Sequence, residues 1–260
     1  MSKQRLDRLL VERGLVPSRE RAQALILAGR VLVNEQKVEK AGAGVETDVA
    51  IRLLGEGLRY VSRGGLKLEH ALAHWGIDLV GRTCMDVGTS TGGFTDAMLQ
   101  HGAAQVIAVD TGYGQIASAL RGDARVRLLE RTNARNLTSA QVAPLAGAPV
   151  TFLAMDVSFI SATLVLPAVV NSLRELSGAS PLESVVLVKP QFEAGKGNVG
   201  KGGIVRDAAV QHSAVERVRE AVQALGGTDI EVADSPITGA EGNKEFLLHA
   251  TFAATRQGKE

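Results

Sequence analysis

The sequence predicts a doubly wound α/β sheet behind a small N-terminal α+β module, and three observations carry that prediction. An apolar run from Thr83 to Val87 enters a glycine-rich turn, Gly88-Thr89-Ser90-Thr91-Gly92-Gly93, and a helix opens near Gly92. A second apolar run, Val106 to Val109, stops on Asp110, which completes the start of a nucleotide-type βαβ unit. Charge is uneven: residues 1–63 hold 12 Lys and Arg against 8 Asp and Glu, a balance of +4, and the remainder balances at −3. A basic segment beside a near-neutral body fits a nucleic-acid-binding appendage, although a solvated basic face would look the same.

From the N-terminus, Leu6, Leu9, Leu10 and Arg13 follow helical spacing over Arg5–Arg13, and Gly14 and Pro17 break that helix. Ser18 suits the N-cap of a second helix with Ala22, Leu25 and Ile26 on its apolar face, and Gly29 ends it. Val31–Val33, a turn at Asn34–Lys37 and a strand near Val49–Leu53 complete the module. Arg5, Arg19, Arg21 and Lys37 fall at its helix starts and hairpin, where phosphates can be reached. Gly55–Leu58 reads as linker, and Arg63 closes that stretch. A helix with Leu68, Leu72 and Trp75 on one face follows, with Lys67 near its start.

The turn runs Gly88-x-x-x-Gly92-Gly93 and not G-x-G-x-x-G. That departure favours S-adenosylmethionine over a dinucleotide, with Asp86 beside the methionine part and Asp110 at the ribose. A purely structural strand-to-helix turn would read the same way. Downstream, strands at Val126–Leu129, Val150–Met155, Val185–Val188, Ile230–Ala233 and Phe246–Phe252 alternate with helices near 93–101, 115–121, 161–174 and 207–225. Asp110, Asp156 and Lys189 end strands and so come to one edge of the sheet, where open parallel sheets bind ligands. Residues 191–203 look too rich in Gly and Lys to pack, and read as a mobile substrate loop. They lack the Gly-Lys-Ser/Thr of a Walker-type loop.

Composition closes off other classes. At 45% hydrophobic the chain can bury a substantial core. No apolar run approaches the roughly 18–20 residues that span a bilayer, and the start has no apolar secretory core. The single cysteine, Cys84, fits a reducing cytoplasm, and no Cys/His cluster has zinc-like spacing, so neither membrane nor metal is expected.

Arg5-Leu6-Asp7, Gly14, Ser18-Arg19, Ala22, Leu25-Ile26 and Gly29-x-Val31-x-Val33-Asn34 together resemble the RNA-binding module of small-subunit ribosomal protein S-four. The whole chain resembles the TlyA-type family, known both as hemolysins and as rRNA ribose 2′-O-methyltransferases. The resembling blocks are Val61-Ser62-Arg63-Gly64-x-x-Lys67-Leu68, Asp86 to Thr95, Asp110 to Gln115, Glu130 to Arg135, Asp156 to Ser161 and Lys189 to Glu193. Its catalytic half is similar to FtsJ-like methyltransferases. The resemblance implies a Rossmann-like, S-adenosylmethionine-dependent methyltransferase sheet over 64–260, a linker over 55–63 and an RNA-binding domain over 1–54. It implies a Lys-Asp-Lys-Glu set on Lys67, Asp156, Lys189 and Glu245, with Glu241 as a nearby alternative to the last.

Cofactor contacts implied are Asp86, Gly88, Ser90, Gly92, Gly93, Phe94 and Asp110, with Asn133 and Phe159 as further candidates. In that chemistry Lys189 takes the proton of a ribose hydroxyl, Lys67 steadies the oxygen, and the two acids orient the lysines. The RNA partner would be ribosomal, within subunits or whole ribosomes, with one nucleotide brought to the crevice, flipped out. The family's linker carries tryptophan where Tyr60 stands. A non-catalytic RNA-binding or ribosome-assembly factor and a membrane-active hemolysin remain as alternatives.

Overall fold

Among the described residues, seven strands form one sheet in the order β11 (Gly227–Asp234), β12 (Phe246–Phe252), β10 (Leu182–Val188), β9 (Val150–Met155), β6 (Thr83–Val87), β7 (Gln105–Val109) and β8 (Val126–Leu129), with helices packed around it. The computed structural model describes residues 3–16, 18–54, 59–200, 202–239 and 241–254. Contacts divide the chain into Met1–Val61 and Ser62–Glu260. Pro17 and the Gly55–Leu58 stretch read as linker lie outside the described residues.

In the first unit, β1 (Lys3–Arg5) pairs antiparallel with β4 (Gly44–Glu46), and β2 (Val31–Val33) is flanked by β3 (Gln36–Lys37) and β5 (Ile51–Leu53). Helices α1 (Leu6–Glu12) and α2 (Arg19–Leu27) cover them. Leu6, Leu10, Ala22, Leu25, Ile26, Val31 and Val33 meet in a small core, so the helical spacing of these leucines does the packing expected of it. Ser18 caps α2 by accepting the Arg21 N–H at 3.2 Å. Three details depart from the sequence reading. Arg5 lies in a strand and not in the first helix. The turn is the two residues Asn34 and Glu35, whose φ of 49° and 62° allow a tight hairpin, so Gln36 and Lys37 pair with β2. The last strand opens at Ile51, two residues later than expected.

The second unit opens with α3 (Gly64–Trp75). It continues through β6 (Thr83–Val87), α4 (Gly93–Gln100), β7 (Gln105–Val109), the four-residue α5 (Ser118–Arg121) and β8 (Val126–Leu129). Then come α6 (Ser139–Val142), β9 (Val150–Met155), α7 (Ala162–Arg174), β10 (Leu182–Val188) and α8 (Pro190–Glu193). Helix α9 (Ala208–Ala224), β11 (Gly227–Asp234) and β12 (Phe246–Phe252) complete it. Strands β6 to β10 run parallel; β6, β7, β9 and β10 are mostly apolar and buried on both faces, while β8 is a part-exposed edge strand. The chain order reverses between β6 and β9, which places the topological switch point, and hence the ligand crevice, beyond Val87 and Met155.

Strand β12 runs antiparallel to both β10 and β11. In an all-parallel sheet the start of a strand lies at the wrong edge for the site. Reversal brings Phe246 opposite Val188, so the residue before β12, Glu245, sits at the same edge as Lys189.

Candidate active site

The glycine turn is built by close approach. Gly88 has φ of +87°, and a Cβ there would stand 2.3 Å from the backbone oxygen of Asp156. Gly88 is therefore a glycine because the end of β9 presses against it, which also fixes Asp156, whose N–H donates to the Val87 oxygen at 2.9 Å. At Gly93 a Cβ would meet Ser62 Oγ at 2.2 Å and the Gly65 nitrogen at 3.0 Å, so bare backbone lets the starts of α3 and α4 touch.

Asp86, expected beside the cofactor, is wholly buried behind the turn and does not line the cavity described below. Its Oδ2 accepts from the Thr95 N–H at 2.9 Å and the Thr95 hydroxyl at 2.6 Å, tying β6 to the first turn of α4; Oδ1 has no hydrogen-bond partner among the described residues. Burial pushes this carboxyl up to about 7, against the Thr95 hydroxyl, with the Asp156 charge adding to the rise. Asp110 draws the turn closed from the other side, Oδ2 accepting from Ser90 N–H at 2.7 Å and Oδ1 from Gly112 N–H at 2.6 Å. Asn133 is exposed and caps the short turn Ala134–Asn136. Burial pushes the Cys84 thiol up to about 12, which leaves it inert.

Beyond the switch point lies a cavity of about 570 Å³. Six charged residues line it among those described, and four of them, Lys67, Asp156, Lys189 and Glu245, form two close pairs. Lys67 Nζ pairs with Glu245 Oε2, both side chains almost fully buried. Lys189 Nζ lies 2.6 Å from Asp156 Oδ1 and donates to Ser158 Oγ, also at 2.6 Å. The site thus holds two lysine–carboxylate pairs contributed by α3, β9, β10 and β12. Glu241 also lines the cavity, but its side chain is exposed and lies near Gly203.

Gly88, Ser90, Gly93, Phe94 and Arg63 reach the same cavity; Gly92 does not line it. Phe159, with φ of +64°, stands 92% exposed at the mouth, its ring 5.5 Å from that of Phe192. Sequence reasoning missed Ser158, Gln191 and Phe192 as cavity-lining groups. Each lay inside a block carrying the resemblance: Ser158 stands next to Phe159, and Gln191 and Phe192 open the segment read as a substrate loop. The 191–203 segment is the unpacked stretch expected only in part: Gln191–Ala194 are buried or half-buried, whereas Gly195, Gly197, Asn198, Gly200 and Gly202 are exposed. It forms α8 and the turn Lys196–Asn198, and the buried Asn243 holds its far end by accepting from Val205 N–H and donating to the Gly203 oxygen. Lys201 lies outside the described residues.

Of the cations expected to meet RNA, Arg5 and Arg19 both bind the buried Asp7 at 2.9 Å while staying half exposed. Gln23 also donates to Asp7, whose carboxyl sits well below the usual range, held there chiefly by Arg5. Arg21 donates to the Tyr60 oxygen, and Lys37 pairs with Glu39.

The FtsJ-like methyltransferase family matches residues 60–252, and the S4 domain matches residues 4–51. A Mycobacterium tuberculosis protein named 16S/23S rRNA (cytidine-2′-O)-methyltransferase TlyA is 44% identical over 94% of this chain and 88% of its own length. Hemolysin A of Brachyspira hyodysenteriae is 38% identical over 94% of this chain and 98% of its own. A solved structure of a hemolysin-type protein from Streptococcus thermophilus superposes with a TM-score of 0.72 at 41% identity, covering 97% of this chain and 90% of that one.

Proposed function

The chain belongs to the FtsJ-like methyltransferase family, with an S4 domain ahead of it, and we propose on that premise that it methylates the 2′-hydroxyl of a ribose in ribosomal RNA, using S-adenosylmethionine. The observation that carries this reading is the pair of lysine–carboxylate contacts, Lys67 with Glu245 and Lys189 with Asp156, in one cavity at the switch point.

The cavity suits such a cofactor. Its volume lies within the range of about 300–1,000 Å³ usual for small-molecule sites. One wall is the glycine turn; Asp110 does not line this cavity but stands just after β7, on the other side of the turn, where a ribose-binding acid is expected. Gly88, Ser90, Gly93 and Phe94 would hold the cofactor, with Asp110 at its ribose. Asp86 serves it indirectly, by fixing the turn. When bound, the sulfonium supplies a methyl group that is already activated, so the protein's task is alignment and proton removal.

Lys189 takes the hydroxyl proton as the oxygen–methyl bond forms, and Asp156 and Ser158 hold its amine in place. Lys67, fixed by Glu245, donates to the oxygen and opposes its growing negative charge. Phe159 offers the exposed ring on which an unstacked base can lie. Arg5, Arg19, Arg21 and Lys37 would meet phosphates through the faces they leave open, and Arg63 would do so at the cavity mouth. The TlyA relative acts on ribosomal RNA by its name, and the S4 domain supplies an RNA-binding module. The hemolysin names belong to those relatives. Among the described residues no helix is long and apolar enough to cross a membrane.

The test is transfer of labelled methyl from S-adenosylmethionine to purified ribosomal subunits and whole ribosomes, followed by nuclease digestion. Label on a ribose oxygen supports the reading; label on a base, or none on RNA, overturns it.

A further inference from the structure

We propose that Glu193 is a positioning residue for Lys189, a buried brace that locks the loop after β9 to the loop after β10. The inference rests on the methyl-transfer reading above.

Glu193 closes α8, directly after the strand end that carries Lys189, yet it points away from the cavity and is 2% exposed. Its Oε2 accepts from the Ser161 hydroxyl at 2.5 Å, and its Oε1 from the Ala162 N–H at 2.7 Å. Those two groups are the N-cap and first residue of α7, which begins where the β9 loop ends. The backbone oxygen of Glu193 accepts from Arg217 of α9 at 2.6 Å, so the brace is itself anchored. On the cavity side, the same two loops meet through three contacts: Lys189 to Asp156, Lys189 to Ser158, and Phe159 to Phe192. Every one depends on the register between the loops, and Glu193 sets that register from behind. A helix cap alone would need only a local Ser or Asp, and Ser161 already accepts from Thr163 N–H. Burying a carboxyl is costly unless it is hydrogen-bonded, and both Glu193 oxygens find their donors at the start of α7, 31 and 32 positions away.

The experiment compares Glu193→Ala, Glu193→Gln and Ser161→Ala with the wild type in full-length protein. It follows kcat and KM for methyl transfer to ribosomal subunits, cofactor affinity and melting temperature. Glutamine keeps the shape: its carbonyl accepts from Ala162 N–H and its amide donates to Ser161 Oγ. Since displacing a reacting group by about 1 Å costs up to about a hundredfold, Glu193→Ala should lower kcat by at least tenfold, with KM and cofactor affinity within threefold. Glu193→Gln should restore kcat to within about threefold of wild type. A kcat for folded Glu193→Ala within threefold of wild type overturns the proposal, as does equal loss in the glutamine variant. If the alanine variant does not fold, Ser161→Ala decides: kcat lowered about threefold or more at unchanged cofactor affinity supports the brace, and unchanged kcat overturns it. A wild type that transfers no methyl to RNA defeats the underlying reading instead, so the two failures are distinct.

Discussion

Lys67 and Glu245, 178 positions apart in sequence, meet as a buried ion pair at the wall of the cavity. The pair joins the first helix of the second unit to the residue before its last strand. Removing one partner strands the other's charge in a poorly solvated place, which costs about 3–5 kcal/mol. Glu245→Ala should therefore lower the unfolding free energy by that order and reduce methyl transfer, while Glu245→Gln should lose less stability. Urea unfolding of both variants checks this. A loss under about 1 kcal/mol in Glu245→Ala would mean that the pair is not closed in solution.

Gly88 admits no side chain. An alanine there would place Cβ 2.3 Å from the Asp156 oxygen at a φ of +87°, so the end of β9 must shift. Gly88→Ala should cut kcat by about a hundredfold through misplacement of Asp156. RNA affinity, measured by filter binding, should stay near wild type. Retained activity would show that Asp156 has more freedom than its packing allows.

Asp86 makes stability depend on pH. Its pKa of about 7 in the folded chain lies above the ordinary 3.8, so the folded state binds the proton more tightly across that window. Its contribution is fully present below about pH 4 and is lost as pH rises to about 7, to the extent of about 4 kcal/mol. Asp86→Asn removes this slope because an amide does not titrate, and its carbonyl can still accept both Thr95 donors. Melting temperatures from pH 5 to pH 8 should show the variant gaining on the wild type as pH rises. Parallel curves would contradict the prediction.

Phe159 holds no core together, being 92% exposed, so its loss should leave stability unchanged. Base stacking on an aromatic ring is worth about 1–3 kcal/mol, so Phe159→Ala should raise KM for RNA by about tenfold at constant cofactor affinity. Steady-state kinetics with RNA and cofactor varied separately distinguish the two. A change confined to cofactor affinity would place the ring at the other ligand.

Much of the site's position was legible because strand ends write themselves into sequence. An apolar run stopping on Asp110, Asp156 or Lys189 marks the carboxyl edge, and the glycine turn marks where the sheet opens. The reasons were less legible than the places. Gly88 lines the cavity but owes its missing side chain to the Asp156 backbone pressed against it, and Asp86 is a buried cap rather than a cavity wall. Long-range pairings were not legible. Glu245 reaches the site only because β12 runs antiparallel, which alternation of apolar residues does not specify. The far end of the 191–203 segment is tied down by Asn243, 40 positions away, which donates to the Gly203 oxygen. Strands β1 and β4 have three residues each, too few for any periodicity to register.

Lys189→Ala is the most direct test of the chemistry. Single-turnover methyl transfer to ribosomal subunits would be followed for the variant and the wild type, with cofactor and RNA binding measured on the same preparations. Loss of transfer by about a hundredfold or more, with both affinities within threefold, is the predicted result. Transfer at the wild-type rate would contradict the assignment of Lys189 as the group that takes the proton.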